Sequence, residues 1–364
     1  MEFNQLIENA MQRNASDIHI AVNHPPAMRV YGEIIYLRIP ELTKEQVTRM
    51  IHSCMNEEQK AIFEREWEID FSFKHEAGFR MRVNLFNNIH GPAAAMRIIP
   101  LTIKSLEELS APPILQKITT NISKGMILVT GPTGSGKSTT MAAMIDHINK
   151  NSQKHILIIE DPIEFTHKSH MCIISQREIG MHSKSFARAL KSALREDPDI
   201  IMVGEMRDLE TIQLALTAAE TGHLVIGTLH TNTAASTVDR IVDVFPAEDK
   251  PMVRSMLSNS LEAVISQRLI RKADMTGMVA AHEVMLCNSA IRNLIRESKI
   301  QQIPSIMQTN AGIGMQLMKD ALLNLSSKGI IDNSEALQLL NASENNMISK
   351  VGIAGSKASL NSGF

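Results

Sequence analysis

The chain has 364 residues, 44% hydrophobic and 21% charged, with a formal net charge of −2. That length suits two or three domains with a sizeable core, and the composition is ordinary for a globular protein. The near-neutral balance disfavours a dedicated nucleic-acid binder, and three scattered cysteines, Cys54, Cys172 and Cys287, support neither a zinc module nor a disulfide framework.

The N-terminal stretch MEFNQLIENAMQRN carries an early acid and no apolar segment of signal-peptide type. No run approaches the roughly 18 uncharged apolar residues of a membrane span, so no transmembrane helix is expected; the singly scattered cysteines suit a reducing cytoplasm. The 23 methionines read as flexible core filling.

Residues 1–98 mix helical and strand-like patterns. SDIHIAV and AMRVYGEIIYL alternate with the period of strands, and Pro25-Pro26 between them marks a turn. FSFKHEAGFRMRVNLF reads as two strands around a turn at Gly78, and AAAMRIIP as another ending at Pro100. A small α+β domain is expected here, followed by a linker over 99–122 that contains Pro112-Pro113 and a short helix.

From 123 to 285 the pattern changes to continuous apolar runs between helical segments: GMILVTG, HILIIED, DIIMVGE and HLVIGTLH. Strands covered by helices on both faces look like this, so a βαβ core with a parallel sheet is expected. Residues 286–345 read as helical. Within NSAIRNLIRESKI, Ala290, Ile291, Leu294 and Ile295 fall on one helix face and Arg292, Asn293 and Arg296 on another. The tail, 346–364, is polar and rich in small residues, and disorder is expected there.

One motif dominates. GPTGSGKST places Gly131, Pro132, Thr133, Gly134, Ser135, Gly136, Lys137, Ser138 and Thr139 directly between a strand-like run and the helical MAAMIDHIN. This is the context a phosphate-binding loop requires: glycines let successive N–H groups face the phosphates, and the following helix presents its positive end. Lys137 would reach the outer phosphates, and the Ser138 hydroxyl would complete the shell of a Mg²⁺ ion accompanying a nucleoside triphosphate.

Such a loop needs acidic partners at neighbouring strand ends. HILIIEDPIEF ends in Glu160, Asp161 and Glu164, and PDIIMVGEMRD ends in Glu205, followed by Arg207 and Asp208. Either set can orient water or hold a metal, and either can simply be solvated or cap a helix. His223 and His230 flank the run TGHLVIGTLHTN; His230 is a candidate γ-phosphate sensor or a structural strand-end histidine, and His223 is the weaker candidate.

These four blocks, in order, resemble the Walker A, aspartate box, Walker B and histidine box of the secretion-type ATPases, the motors of type II secretion and type IV pili. AIRNLIR at 290–296 resembles the signature of the PilT-type pilus retraction ATPases, and ASDIHI with PPAMRVYGE is similar to their N-terminal domain. The resemblance runs from about residue 3 to about residue 325. It implies a PAS-like N-terminal domain, a RecA-like core, C-terminal helices, and a homohexamer with ATP between the two domains.

By the same resemblance, Glu205 is the Walker B glutamate, Glu160 the glutamate that polarises the attacking water, and His223 and His230 the histidine box. Arginines reaching the phosphates come from the N-terminal domain. Arg82 and Arg97 match best, with Arg80 and Arg29 as competitors; Arg195 and Arg207 serve the site or brace an interface. Arg292 and Arg296 belong to a helix that transmits motion or meets a partner.

The implied partners are an inner-membrane platform protein, with which the protein associates peripherally at the pilus base, and an assembly ATPase or a paralogous retraction ATPase. The chain lacks the tetracysteine zinc module common in assembly ATPases, which favours retraction over assembly. An accessory retraction role stays open. Met206 and Glu196 depart mildly from the family pattern. A RecA-type nucleic-acid motor is the distant alternative, poorly served by two tyrosines and one tryptophan.

Overall fold

Alternating segments of the first hundred residues form one antiparallel sheet flanked by short helices. The structure, a computed structural model, describes residues 3–13, 15–75, 80–99 and 102–339. In chain order the elements are α1 (Phe3–Gln12), β1 (Asp17–Ala21), β2 (Ala27–Val30), β3 (Glu33–Tyr36), α2 (Lys44–His52), α3 (Glu57–Glu66), β4 (Glu68–Lys74), β5 (Arg80–Asn88) and β6 (Gly91–Ile99). The sheet order is β3-β2-β1-β6-β5-β4. Ile18, Met28, Met81, Val83, Leu85 and Met96 project from it into a core closed by Leu6, Ile7, Val47 and Ile51 of the helices. Thr43 with Gln46, and Asn56 with Gln59, cap α2 and α3 reciprocally.

AMRVYGEIIYL, which alternates with the period of strands, is a hairpin. Tyr31 and Gly32 both take positive φ, +49° and +90°, and reverse the chain between β2 and β3. A two-residue turn preserves the alternation on either side, so the period alone did not betray it. The turn at Gly78 and the end at Pro100 lie outside the described residues, as does the tail from 340 onward.

The chain divides into two compact units, Met1–Ile103 with Pro162–His167, and Lys104–Asp161 with Lys168–Phe364. The second holds α4 (Ile114–Asn121), β7 (Gly125–Thr130), α5 (Lys137–Asn151), β8 (His155–Glu160), β9 (Ile173–Glu178), α6 (Phe186–Ala193), β10 (Ile200–Val203), α7 (Leu209–Glu220), β11 (Leu224–Leu229), α8 (Ala234–Asp243), α9 (Lys250–Ser260), β12 (Leu261–Arg271), β13 (Met278–Leu286), α10 (Ser289–Arg296), α11 (Ile303–Thr309) and α12 (Met318–Ser327).

Its sheet runs β13-β12-β7-β11-β10-β8-β9, parallel throughout except for the β12–β13 hairpin. Alternate residues of each buried strand feed opposite cores. Met126, Leu128, Leu157 and Ile201 face one cluster with α6 to α10, and Ile127, Val129, Ile156 and Ile200 face another with α4 and α5. The fold is a mixed α/β architecture with a parallel sheet at its centre and helices at its C-terminal end.

The four apolar runs are all strands, and the sheet adds three that the pattern did not signal. β9 is an edge strand reading IISQRE, too polar to register as an apolar run. β12 carries Ser266 and Gln267 in its buried middle, which interrupts its apolar run. Helix α10 buries Ile291, Leu294 and Ile295 as expected. Ala290 is exposed instead, although Ile291 beside it in the same first turn is buried. Among the described residues no helix is long and apolar enough to cross a membrane.

Candidate nucleotide site

Parallel pairing turns sequence order into spatial order. The carboxyl ends of β7, β11, β10 and β8 are consecutive along the sheet. They carry, in turn, the 131–139 loop, His230, Glu205 and Glu160. Four segments spread over 100 residues thereby meet at one edge, where ligands of open α/β sheets bind.

The loop's shape follows from its glycines. Gly131, Gly134 and Gly136 have φ of +148°, +78° and +86°, a region that L side chains rarely adopt. Lys137 opens α5 and folds back so that Nζ donates to the carbonyls of Gly131, at 2.8 Å, and Pro132, at 3.0 Å. Its ammonium therefore lies over the loop. Thr133 and Gly134 are exposed, while Ser138 and Thr139 are half-buried at the positive end of α5.

Glu205 follows β10 and is bound from two sides. His230 Nε2 donates to its Oε1 at 2.7 Å, and the Arg207 guanidinium pairs with the same oxygen. A carboxylate only accepts, so Nε2 carries the imidazole proton. Burial pushes the Glu205 carboxyl up, but the hydrogen bonds from Arg207 and His230 outweigh it and hold it below the usual range. Glu205 is an ionised acceptor and a weak base, suited to orienting water or a hydrated cation.

Glu160 is buried at the end of β8, 5% exposed. The next strand leaves it room: a Cβ at Gly204 would stand 3.1 Å from Glu160 Cγ. Thr228 of β11 donates its hydroxyl to the Gly204 carbonyl, which ties the strand that ends in His230 to the one that ends in Glu205. An open cleft of about 620 Å³ runs along this edge, lined by Pro132, Thr133, Glu205, Arg207, His230 and Arg240 among others.

Sequence reasoning missed Arg240. It lies on α8, ten residues past His230, and only the turn of that helix brings it to the cleft. Arg207, expected to serve the site or brace an interface, pairs with Glu205. Met206 is buried and fits because β11 carries Gly227, whose Cβ would fall 2.8 Å from the Met206 methyl. Glu196 accepts from Arg177 at 2.6 Å and from Ser192 at 2.7 Å.

His223 is not brought to this edge. It precedes β11 and lies beside Gly125 at the opposite end of the sheet, about 20 Å of strand from His230. There its Nδ1 bonds the Ala218 carbonyl at 3.0 Å, near the C-terminus of α7. Asp161 and Glu164 are exposed, as is Arg195.

Arg82 and Arg97 lie in the N-terminal unit, paired across β5 and β6. Register puts Arg29, Asp17, Arg97 and Arg82 in one row across four strands. Arg97 Nε donates to Asp17 Oδ1 at 3.0 Å, and Arg29 reaches the other oxygen at 3.8 Å. Arg82 is exposed, and Arg80 is half-buried two rows away.

Arg292 is held rather than solvated. It donates to the Ser258 and Asn259 carbonyls at the C-terminus of α9, both at 2.9 Å, and to Glu262 at 2.8 Å. Arg296 is exposed and reaches the Ser258 hydroxyl at 3.4 Å.

The family model for type II/IV secretion system proteins matches residues 1–337. The chain belongs to that family. Among its members, a twitching motility protein of Neisseria gonorrhoeae is 59% identical over 84% of this chain and 82% of its own. The type IV pilus retraction ATPase PilT of Pseudomonas aeruginosa is 51% identical over 95% of this chain and its whole length. A crystal structure of the pilus retraction motor PilT with bound ADP superposes with a TM-score of 0.85, at 47% identity, covering 93% of this chain and 96% of the other. A nucleotide site in a family member of this fold agrees with the loop geometry described above.

Proposed function

We propose that the protein is an ATP-hydrolysing motor that powers type IV pilus retraction. The observation that carries this reading is that a complete phosphate-binding loop and a hydrogen-bonded Glu205–His230 pair stand together on a chain half identical to a retraction ATPase along its full length.

The loop amides and Lys137 hold the triphosphate. Oxygen donors suit Mg²⁺: Ser138 together with the carboxylates of Glu160 and Glu205 offers an all-oxygen set, and the described residues hold no three-residue His, Cys, Asp or Glu cluster that would cage a metal without phosphate. When bound, the ion supplies charge that offsets the phosphates in the transition state. Glu205, fixed by His230 and Arg207, orients the attacking water, and Glu160 at the adjacent strand end polarises it. Arg292 seats α10 so that Arg296 is presented outward to a partner.

The motor works as a homohexameric ring on a membrane-embedded platform protein at the pilus base, opposing an assembly ATPase. In cells whose only copy carries Glu205→Gln, labelled pili imaged over time are expected to extend and fail to shorten. Shortening at the wild-type rate would overturn the reading.

A further inference from the structure

Strand β12 lies directly behind the phosphate loop. Ser266 pairs in register with Thr130, the last residue before the loop, and their fully buried hydroxyls are bonded at 2.7 Å. One residue further, Gln267 is 2% exposed. Its carboxamide is engaged at both ends. Nε2 donates to the Ser135 carbonyl at 2.7 Å, and Oε1 accepts from the Thr140 hydroxyl in the first turn of α5 at 2.8 Å.

A peptide unit is planar and trans, so its C=O and N–H point in opposite directions. Holding the Ser135 carbonyl toward Gln267 turns the Gly136 N–H the other way, out to the side where the loop receives its ligand. Two loop glycines depend on the same residue. A Cβ at Gly136 would stand 2.9 Å from Gln267 Nε2, and one at Gly131 would stand 2.4 Å from the backbone carbonyl oxygen of Gln267. These positions need glycine for space as well as for their positive φ.

We propose that Gln267 is a positioning residue of the phosphate site, locking the Ser135–Gly136 peptide so that the Gly136 N–H faces the β-phosphate of the nucleotide. The inference rests on the reading of 131–139 as a nucleotide-phosphate loop. Gln267 touches no ligand itself; it acts through the backbone it holds. Its two bonds differ in consequence: the one to Ser135 sets the amide, and the one to Thr140 keeps the carboxamide from rotating.

Two substitutions in the full-length protein separate these effects. Gln267→Met keeps the volume and loses both bonds. Gln267→Glu keeps an acceptor for Thr140 and loses the donor to Ser135. Each is expected to weaken ADP binding by about tenfold in calorimetry, the size of one lost, well-buried hydrogen bond. KM for ATP rises to match, while kcat changes by less than about threefold, because the bond acts on ground state and transition state alike. Lowered melting temperature with wild-type ADP affinity in both variants would make Gln267 merely structural and overturn the proposal. If Gln267→Met does not fold, the near-isosteric Gln267→Glu decides by the same criterion. Wild-type protein that binds no ADP would remove the phosphate-loop reading beneath the inference, a failure distinct from equal binding by wild type and variants.

Discussion

His230 Nε2 lies 2.7 Å from Glu205 Oε1, and the two residues end adjacent parallel strands 25 positions apart in the chain. The bond fixes both the imidazole tautomer and the direction of the carboxylate, and leaves Glu205 charged at the edge of the loop-lined cleft.

Glu205→Gln keeps the size of the side chain and removes its charge. ATP affinity is expected to stay within a few-fold of wild type while kcat falls by at least about a hundredfold, the usual effect of losing a group that acts on the transition state. Titration of ATP together with single-turnover hydrolysis separates the two. Substantial residual turnover would remove Glu205 from the role assigned to it.

The pH dependence follows from the same contacts. Arg207 and His230 depress the Glu205 carboxyl, so the ionised form persists to lower pH than an unpaired glutamate allows. A carboxylate with a depressed folded-state pKa contributes above the unfolded value of about 4.3 and is lost as pH falls through the folded value. Arg207→Ala lets the carboxyl rise again, so the acid limb of the kcat profile should move to higher pH. An unmoved limb would mean that another group sets it.

Arg292 and Arg296 should separate experimentally. Arg292→Ala removes the guanidinium from the carbonyls ending α9 and from Glu262, at a cost of about 1–2 kcal/mol. Arg296→Ala is expected to change stability by less than about 0.5 kcal/mol, as an exposed substitution does. Thermal melts check that contrast. If Arg296 meets a partner, Arg296→Ala also keeps ATPase activity and loses retraction in cells.

Glu283 anchors two helices at once. A buried residue of β13, it accepts from the Ala234 N–H opening α8 at 2.7 Å and from the Met318 N–H opening α12 at 3.2 Å. Burial pushes its carboxyl up, against the two backbone bonds that lower it. Glu283→Ala would leave two helix-terminal donors unsatisfied and should cost about 2–5 kcal/mol in denaturant unfolding. A loss below about 1 kcal/mol would show that water replaces the carboxylate.

Much of the site was legible because its parts are local. GPTGSGKST announces a loop by its glycines, and Glu160, Glu205 and His230 sit where apolar runs stop. What was not legible depends on register. Gln267 lies in an interior stretch of β12, and only the parallel pairing of that strand with β7 brings it against Ser135. Arg240 needs the turn of α8, and the Asp17–Arg97 pair needs two strands 80 residues apart in sequence to align. His223 misled for the opposite reason. Two histidines flanking one buried strand look like a pair in sequence, yet a strand separates its ends by its own length.

Surface pilus number and twitching motility, scored together in cells lacking this gene, test the central claim most directly. Abundant pili on cells that no longer move are expected of a lost retraction motor. Cells without pili would contradict the account and make the protein an assembly motor.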